Sequence, residues 1–229
     1  MSLKLQKVTV EDFDTMMNHA NIYPPGDDLV GPPTPFFWPV LSQEEAQQRL
    51  QLHMTKQKSR FLGDPTATYL KVIDEETQEI VSIARWHYYP NGFSYEDAIG
   101  WEIHTAVKGQ PFPKGMNVEL HNFILTERDL ERKNWLLKDE PCWILMHLVT
   151  RGSQRGRGAA GMLITWGVEK AKAEGVPAYL EASALAKPLY ERYGFKQIGN
   201  PLELDLRTHG VDLNLKMAKM GILPSKVEL

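Results

Sequence analysis

Apolar and polar positions along this chain fall into short alternating runs and 3.6-residue stripes, the mark of a mixed strand and helix protein. Met1 to Lys7 alternates like an edge strand. Thr9 stands three residues before Asp12, and Phe13, Met16 and Met17 then share one face, so a capped helix is predicted over 9–17. Ser42-Gln-Glu-Glu45 opens a second helix that runs to about Lys58. Residues 67–74 and 79–87 flank a polar turn at 75–78 and read as a hairpin. Asn117 to Leu137 is helical, with Leu120, Phe123, Ile124 and Leu130 spaced for one apolar side. Trp143 to Val149 is an apolar run short enough for a buried strand, and Met162 to Lys172 reads as a helix. A strand over 176–183, a helix and turn over 184–195, and an antiparallel pair at 202–206 and 212–217 around His209-Gly210 complete the pattern. The stretch from Ile22 to Leu41, rich in proline and aromatics, is a loop of a length that is usually functional.

The chemistry concentrates in Leu148-Val-Thr-Arg-Gly-Ser-Gln-Arg-Gly-Arg-Gly-Ala-Ala-Gly161, between the strand and the helix. A glycine-rich turn leading into a helix start points backbone N–H groups at one spot, where the helix dipole also favours negative charge. Arg151, Arg155 and Arg157 add full charges with fork geometry suited to phosphate oxygens. Several glycines with three arginines at such a junction favour phosphate binding over a merely solvated connection. Gly156 to Gly161 also matches the dinucleotide fingerprint G-x-G-x-x-G, and Glu181 lies at a distance suited to a ribose, so an NAD(P)-dependent oxidoreductase is a competing reading. Two features oppose it: residues 151–155 separate the fingerprint from its strand, and the 68 residues after Gly161 are too few for a doubly wound sheet. A P-loop is excluded because no Gly-Lys-Ser/Thr follows the turn.

Arg155-Gly-Arg-Gly158-Ala-Ala160 fits the R/Q-x-x-G-x-G/A signature of the GCN5-related N-acetyltransferases, and the chain resembles that superfamily. A second match follows in order: the strand ending Leu180-Glu-Ala-Ser183, then Leu189-Tyr190-x-x-x-Gly194-Phe195. The wording of these two segments looks closest to fungal-type small-molecule acetyltransferases. Two departures stand out, Ala160 for the more usual glycine and Ser183 where many members carry asparagine. The resemblance is firm over about 140–200, which it makes the acetyl-CoA-binding core of one domain spanning 1–229. It implies an α/β fold with a central, mostly antiparallel twisted sheet flanked by helices, with an extra helical insertion at about 90–140. It further implies acetyl-CoA as cosubstrate, and acetyl transfer to a primary amine of a small molecule by direct attack in a ternary complex. The coenzyme would be held by Arg155, Gly156, Arg157, Gly158, Ala159, Ala160 and Gly161, by backbone N–H groups of Leu148, Val149 and Thr150, and by Ser183. Tyr190 matches the family's catalytic tyrosine, the acid for the departing thiolate. A non-catalytic acyl-CoA-binding module is the other alternative that the resemblance leaves open.

Composition narrows the partners. A net charge of −3 offers no electrostatic footprint for nucleic acid, and no apolar run approaches a membrane span. The beginning lacks the apolar core of a signal peptide, and the single cysteine, Cys142, suits a reducing compartment, so a cytoplasmic protein is expected. Cys142 reads as a small buried residue at a strand start rather than a nucleophile. No metal site is expected, and the oligomeric state is not readable.

For the acceptor, the early loop, the hairpin and the insertion supply Phe36, Phe37, Trp38, Trp86, Tyr88, Tyr89 and Trp101, at least half of them expected to be core. This favours an apolar or aromatic small amine over a polyamine or histone tail. Trp38, Trp86, His104, His147 and Glu181 are the candidate acceptor-binding residues. No single base stands out among His147, His104, Glu102, Glu119, His121 and Glu181, and an exposed amine near its own pKa needs only a water chain.

Overall fold

The structure is a computed structural model that describes residues 2–18, 22–23, 26–31, 38–103 and 112–224. Among them the elements run β1 (Leu3–Lys7), α1 (Val10–Met17), α2 (Gln43–Gly63), β2 (Ala67–Asp74), β3 (Ile80–Tyr89), α3 (Tyr95–Glu102), α4 (Val118–Trp135), β4 (Cys142–Thr150), α5 (Ala159–Glu174), β5 (Ala178–Ala182), α6 (Lys187–Glu191), β6 (Lys196–Gln197), β7 (Leu202–Asp205) and β8 (Asn214–Ile222). The class is α/β, a mixed and largely antiparallel sheet with flanking helices, as expected. The chain divides into two units. One holds Met1–His87, Pro113–Met116 and Met146–Trp166; the other holds Tyr88–Phe112, Asn117–Leu145 and Gly167–Leu229.

In the first unit β1, β2 and β3 form an antiparallel meander, with Leu5 opposite Val72 and Val72 opposite Ser82. The predicted caps are in place: the Thr9 N–H donates to Asp12 (2.7 Å) and the Ser42 hydroxyl accepts from the Glu45 N–H (3.2 Å). Phe13 and Met16 of α1 and Leu50 and Met54 of α2 bury against Tyr69, Ile73 and Ile83 of the strands. α2 runs five residues beyond the predicted end at 58. Its last turn packs Phe61 against Phe13 and Tyr69, with ring centres 5.4 and 5.8 Å away.

In the second unit β5 lies parallel to the start of β4, with Trp143 opposite Ala178, and antiparallel to β8, with Leu180 opposite Met220. β6 and β7 also pair antiparallel with β8; the two-residue β6 is too short to leave a sequence pattern. The expected insertion contains α3 and α4. On α4 the expectation for Leu130 is corrected: Leu120 and Ile124 are buried, but Leu130 is 37% exposed. Asp129 and Arg132, both essentially inaccessible, occupy the buried positions of that second half. Polar residues fill them because each is neutralised by the other, with 2.7 Å between Arg132 Nη1 and Asp129 Oδ1.

Candidate functional site

The junction between β4 and α5 is built in two parts. In the first, every N–H has an acceptor: Arg151 N–H donates to the Val81 carbonyl (3.0 Å), Gly152 to Gly26 (2.9 Å) and Ser153 to the Asp27 carboxylate (2.7 Å). The close approach at Gly152 requires glycine, since a Cβ there would stand 2.7 Å from the Gly26 oxygen. In the second part the pattern reverses. Gly156 and Gly158 take left-handed φ of +80° and +91°, and a Cβ on either would meet nothing within 4 Å. Met162 is the first residue of the helix region to donate inward, to the Gly158 carbonyl (3.2 Å). The N–H groups of 156–161 therefore find no acceptor among the described residues. Successive unpaired donors at the start of a sixteen-residue helix make a cradle able to take an anion, and the space beside the two glycines is open.

The three arginines do not act alike, which corrects the expectation that they form one cationic cluster. Arg155 is exposed, with no partner among the described residues, and is the available cation. Arg157 is committed, one terminal nitrogen to Asp74 Oδ2 (2.7 Å) and the other to Gln154 Oε1. Arg151 is 6% exposed and spends its guanidinium on the carbonyls of Ile80 (2.6 Å) and Asp27 (3.1 Å), and burial pulls its pKa down to about 10. Ser82, which the sequence did not single out, ties down the end of β4. It stands 2.8 Å from the Val149 carbonyl and 2.8 Å from the Thr150 hydroxyl. Leu148, Val149 and Thr150 thus lie on a strand end with a fixed backbone, partly exposed.

A buried polar stripe also went unread. Arg49, His53 and Gln57 recur every four residues on α2 and form one face, which was the available signal. Arg49 pairs with Asp28 (3.3 Å) and donates to the Gly31 carbonyl (2.7 Å). Gln57 Oε1 accepts from Tyr69 (2.7 Å) and Arg85 (2.8 Å), so its Nε2 must donate to His53 Nε2, 3.2 Å away. That assigns the His53 proton to Nδ1. His147 of β4 lies against His53, with ring centres 5.3 Å apart. Burial first, then the charges of His147, Arg49, Arg85 and Lys56, hold the His53 pKa well below the ordinary imidazole value.

Of the remaining candidates in this unit, Trp86 is fully buried and donates its indole N–H to the Leu163 carbonyl (3.1 Å), which makes it a tether between strand and helix. Trp38 is 5% exposed, and its indole nitrogen is buried with no hydrogen-bond partner among the described residues. Phe36, Phe37 and His104 lie outside the described residues.

In the second unit Glu181 is not an available base. Both its oxygens are held by Arg132, at 2.7 and 2.6 Å. Arg132 also binds Asp129, and Arg128 adds Asp129 (2.8 Å) and Glu102 (3.4 Å), a buried network in which α4 is tied to β5 and α3. Burial alone would raise the Glu181 pKa, but the Arg132 charge and hydrogen bonds, with Arg128, bring it below the usual range. Ser183 accepts the Ala186 N–H at its hydroxyl (3.2 Å) and so caps the turn into α6. Tyr190 is 8% exposed, edge-on to Phe195 at 6.1 Å, and burial pushes its phenol up to about 12. Tyr193, three residues on, is only partly buried. Tyr88, half-buried, lies against Trp143 with ring centres 5.0 Å apart, and Tyr89, a core residue, meets Phe93 edge-on (5.3 Å). Burial raises the Cys142 thiol to about 12, so it holds no thiolate near neutrality. Among the described residues no three metal-ligating side chains gather, and no helix is long and apolar enough to cross a membrane.

Two stability outcomes follow. Glu181→Gln leaves buried Arg132 short of a counter-charge and is expected to cost about 3 kcal/mol, read by urea unfolding; a loss below about 0.5 kcal/mol would place the network outside the fold's support. The depressed Glu181 carboxyl contributes stability above its unfolded value and loses it as pH falls through the folded one, so Glu181→Gln should flatten the acid limb. For His53 the unfolded imidazole takes up its proton near pH ~6.5, before the folded one. Stability is therefore complete above that pH and declines below it; His53→Gln should weaken that decline, and an unchanged midpoint-against-pH curve would contradict the assignment.

Comparisons with known proteins place this segment and the fold. Residues 136–209 match the model of the acetyltransferase (GNAT) domain. The fold is shared with a histone acetyltransferase and related acetyltransferase from Corynebacterium glutamicum, at 19% identity and TM-score 0.56, each chain covered in full. It is shared as well with a mosquito arylalkylamine N-acetyltransferase-like protein, at 12% identity and TM-score 0.57 over 97% of this chain and all of that one. An agmatine N-acetyltransferase is 17% identical, with TM-score 0.52 over 96% of this chain and 98% of its own. The dinucleotide reading lapses, because antiparallel β6, β7 and β8 follow α6 where a doubly wound fold needs further parallel strands. With the family model matched across the cradle and the fold shared along the chain, residues 136–209 form a GNAT acetyltransferase domain, that of an acyltransferase that draws on acetyl-CoA.

Proposed function

We propose that the chain moves the acetyl group of acetyl-CoA to the primary amine of a small molecule, by direct attack of the amine in a ternary complex and as one catalytic domain. The observation that carries this reading is the run of N–H groups at 156–161 without acceptors, beside the exposed Arg155. Those groups would hold the coenzyme's diphosphate; the bound coenzyme supplies the thioester to be attacked. Leu148, Val149 and Thr150 would offer backbone N–H groups to the thioester oxygen, on a strand end fixed by Ser82. Preorganised donors of this kind are worth ~3 kcal/mol each to a developing oxyanion, and alignment of the reactants adds to that.

Tyr190 is the residue we assign to protonating the departing thiolate. Its phenol, raised to about 12 by burial, stays protonated across the working range and still exceeds water as an acid. Ser183, through the turn it caps, would position the start of α6, which carries Tyr190. For the amine's proton we retain His147, next to Leu148, since Glu181 is engaged by Arg132.

The solved structures named above carry the names of histone, arylalkylamine and agmatine acetyltransferases, so the acceptor must be argued from this chain. The cations that bear on His53, beside His147, are Arg85, Lys56 and Arg49, the last already paired with Asp28, a setting unfavourable to a polycation. Trp38 adds a buried indole N–H able to donate to a polar atom of the acceptor. A small amine with an uncharged, apolar or aromatic body fits both better than a polyamine or a histone tail.

Thiol release from acetyl-CoA over an amine series is the test. Arylalkylamines should turn over well ahead of spermidine or a histone peptide; the reverse order overturns the acceptor assignment. No thiol release with any amine, alongside tight coenzyme binding, would favour an acyl-CoA-binding module. Tyr190→Phe should lower kcat by ~10²- to 10⁴-fold while leaving coenzyme affinity intact. Because the phenol lies so high, the wild-type rate should show no alkaline fall from this group below about pH 10. A Tyr190→Phe enzyme with near-normal kcat removes the residue from the chemistry.

A further inference from the structure

Arg157 sits between the two left-handed glycines of the cradle, yet its side chain is turned to the protein. Asp74, at the end of β2, receives it. The Asp74 carboxylate is only 5% exposed and already serves the hairpin tip, its Oδ1 accepting the N–H groups of Glu76 (2.9 Å) and Thr77 (3.4 Å). Its own backbone is pinned as well: its N–H donates to the Glu79 carbonyl (3.0 Å), and its carbonyl accepts from Gln78 (2.8 Å). The remaining oxygen, Oδ2, takes Arg157 Nη2 at 2.7 Å, and Gln154 takes the other terminal nitrogen. A guanidinium held by a fixed carboxylate at one end and by Gln154 at the other has a set orientation. The glycines on either side have no side chain to hold them, and a backbone free to leave the left-handed region would scatter the N–H groups.

We propose that Asp74 and Arg157 are positioning residues for coenzyme binding: the hairpin tip holds the loop from behind, through Arg157, in the shape that aims the N–H groups of 156–161. Arg157 contributes geometry and Arg155 contributes charge. Swinging Arg157 onto a phosphate would strip a secluded carboxylate of its partner, whereas Arg155 has no partner among the described residues to give up. The proposal rests on the coenzyme reading above and goes past it by separating two arginines that the sequence presents as equivalent. The hydrogen bond from Arg157, first among its causes, also holds the Asp74 carboxyl below the ordinary range, so the pair stays charged down to acidic pH.

Calorimetric titration with coenzyme A, at low and high salt, tests it. Asp74→Asn keeps an oxygen for the Glu76 and Thr77 N–H groups, so the hairpin tip survives while the charge that holds Arg157 is lost. Asp74→Asn and Arg157→Gln should each weaken coenzyme A binding by about 10-fold, the worth of one charge-assisted hydrogen bond. The double variant should lose no more than the weaker single one, since both break the same link. The salt dependence should stay that of wild type in all three. Arg155→Gln should reduce that salt dependence, because a cation facing phosphate is screened. Tighter or unchanged binding in Asp74→Asn overturns the proposal, as does a reduced salt dependence in Arg157→Gln. A wild-type protein that fails to bind coenzyme A removes the proposed function itself, and this inference with it.

Discussion

Six backbone N–H groups in a row, at 156–161, find no acceptor among the described residues, and the backbone on either side is arranged around them. The protein keeps them unpaired by fixing what lies on both sides. Before them, Arg151, Gly152 and Ser153 are bonded to Val81, Gly26 and Asp27, so the chain enters the turn with no freedom to fold back. After them, α5 starts with the bond from Met162 to Gly158. Two left-handed glycines make the intervening path possible. Water is a poor substitute for a diphosphate at such a place, and the preference for an anion follows from direction as much as from charge.

Charge is used sparingly and in distinct ways. Arg151 is a buried strut between carbonyls, Arg157 is tied to Asp74, and Arg155 alone faces outward. In the other unit Arg132 and Glu181 form a two-point ion pair with side chains 1% and 6% exposed, inside a network that includes Arg128, Asp129 and Glu102. A network of this kind fixes which residue of β5 faces α4, and it explains why a carboxylate on that strand cannot double as a base. The stripe of Arg49, His53 and Gln57 does the same for α2, where a single satisfied amide sets the tautomer of a histidine beside His147.

Local signals were legible in the sequence and distant partners were not. The capped starts at Thr9 and Ser42, the hairpin of β2 and β3, and the succession of β4, glycine turn and α5 all depend on residues within a few positions of one another, and all are present. The family wording at Arg155 to Ala160 and Leu189 to Phe195 was equally local. The second half of α4 misled, because Leu130 has the right spacing for a core residue while Asp129 and Arg132 take the buried positions through Glu181, a partner 49 residues farther along. Arg157 illustrates the same limit: its partner Asp74 lies 83 residues back, so a triple arginine cluster was the natural reading. Trp86 looked like a pocket aromatic and is a tether, since an indole N–H satisfied by a helix carbonyl leaves no trace in spacing.

The account stands on the donors at 156–161 closing on the coenzyme's diphosphate, and amide hydrogen exchange reads those donors one by one. With coenzyme A added at saturation, exchange across 156–161 should slow sharply, while the already bonded amides of Arg151 to Ser153 change little. A coenzyme A complex confirmed by calorimetry in which the 156–161 amides exchange as fast as in the free protein would contradict the account.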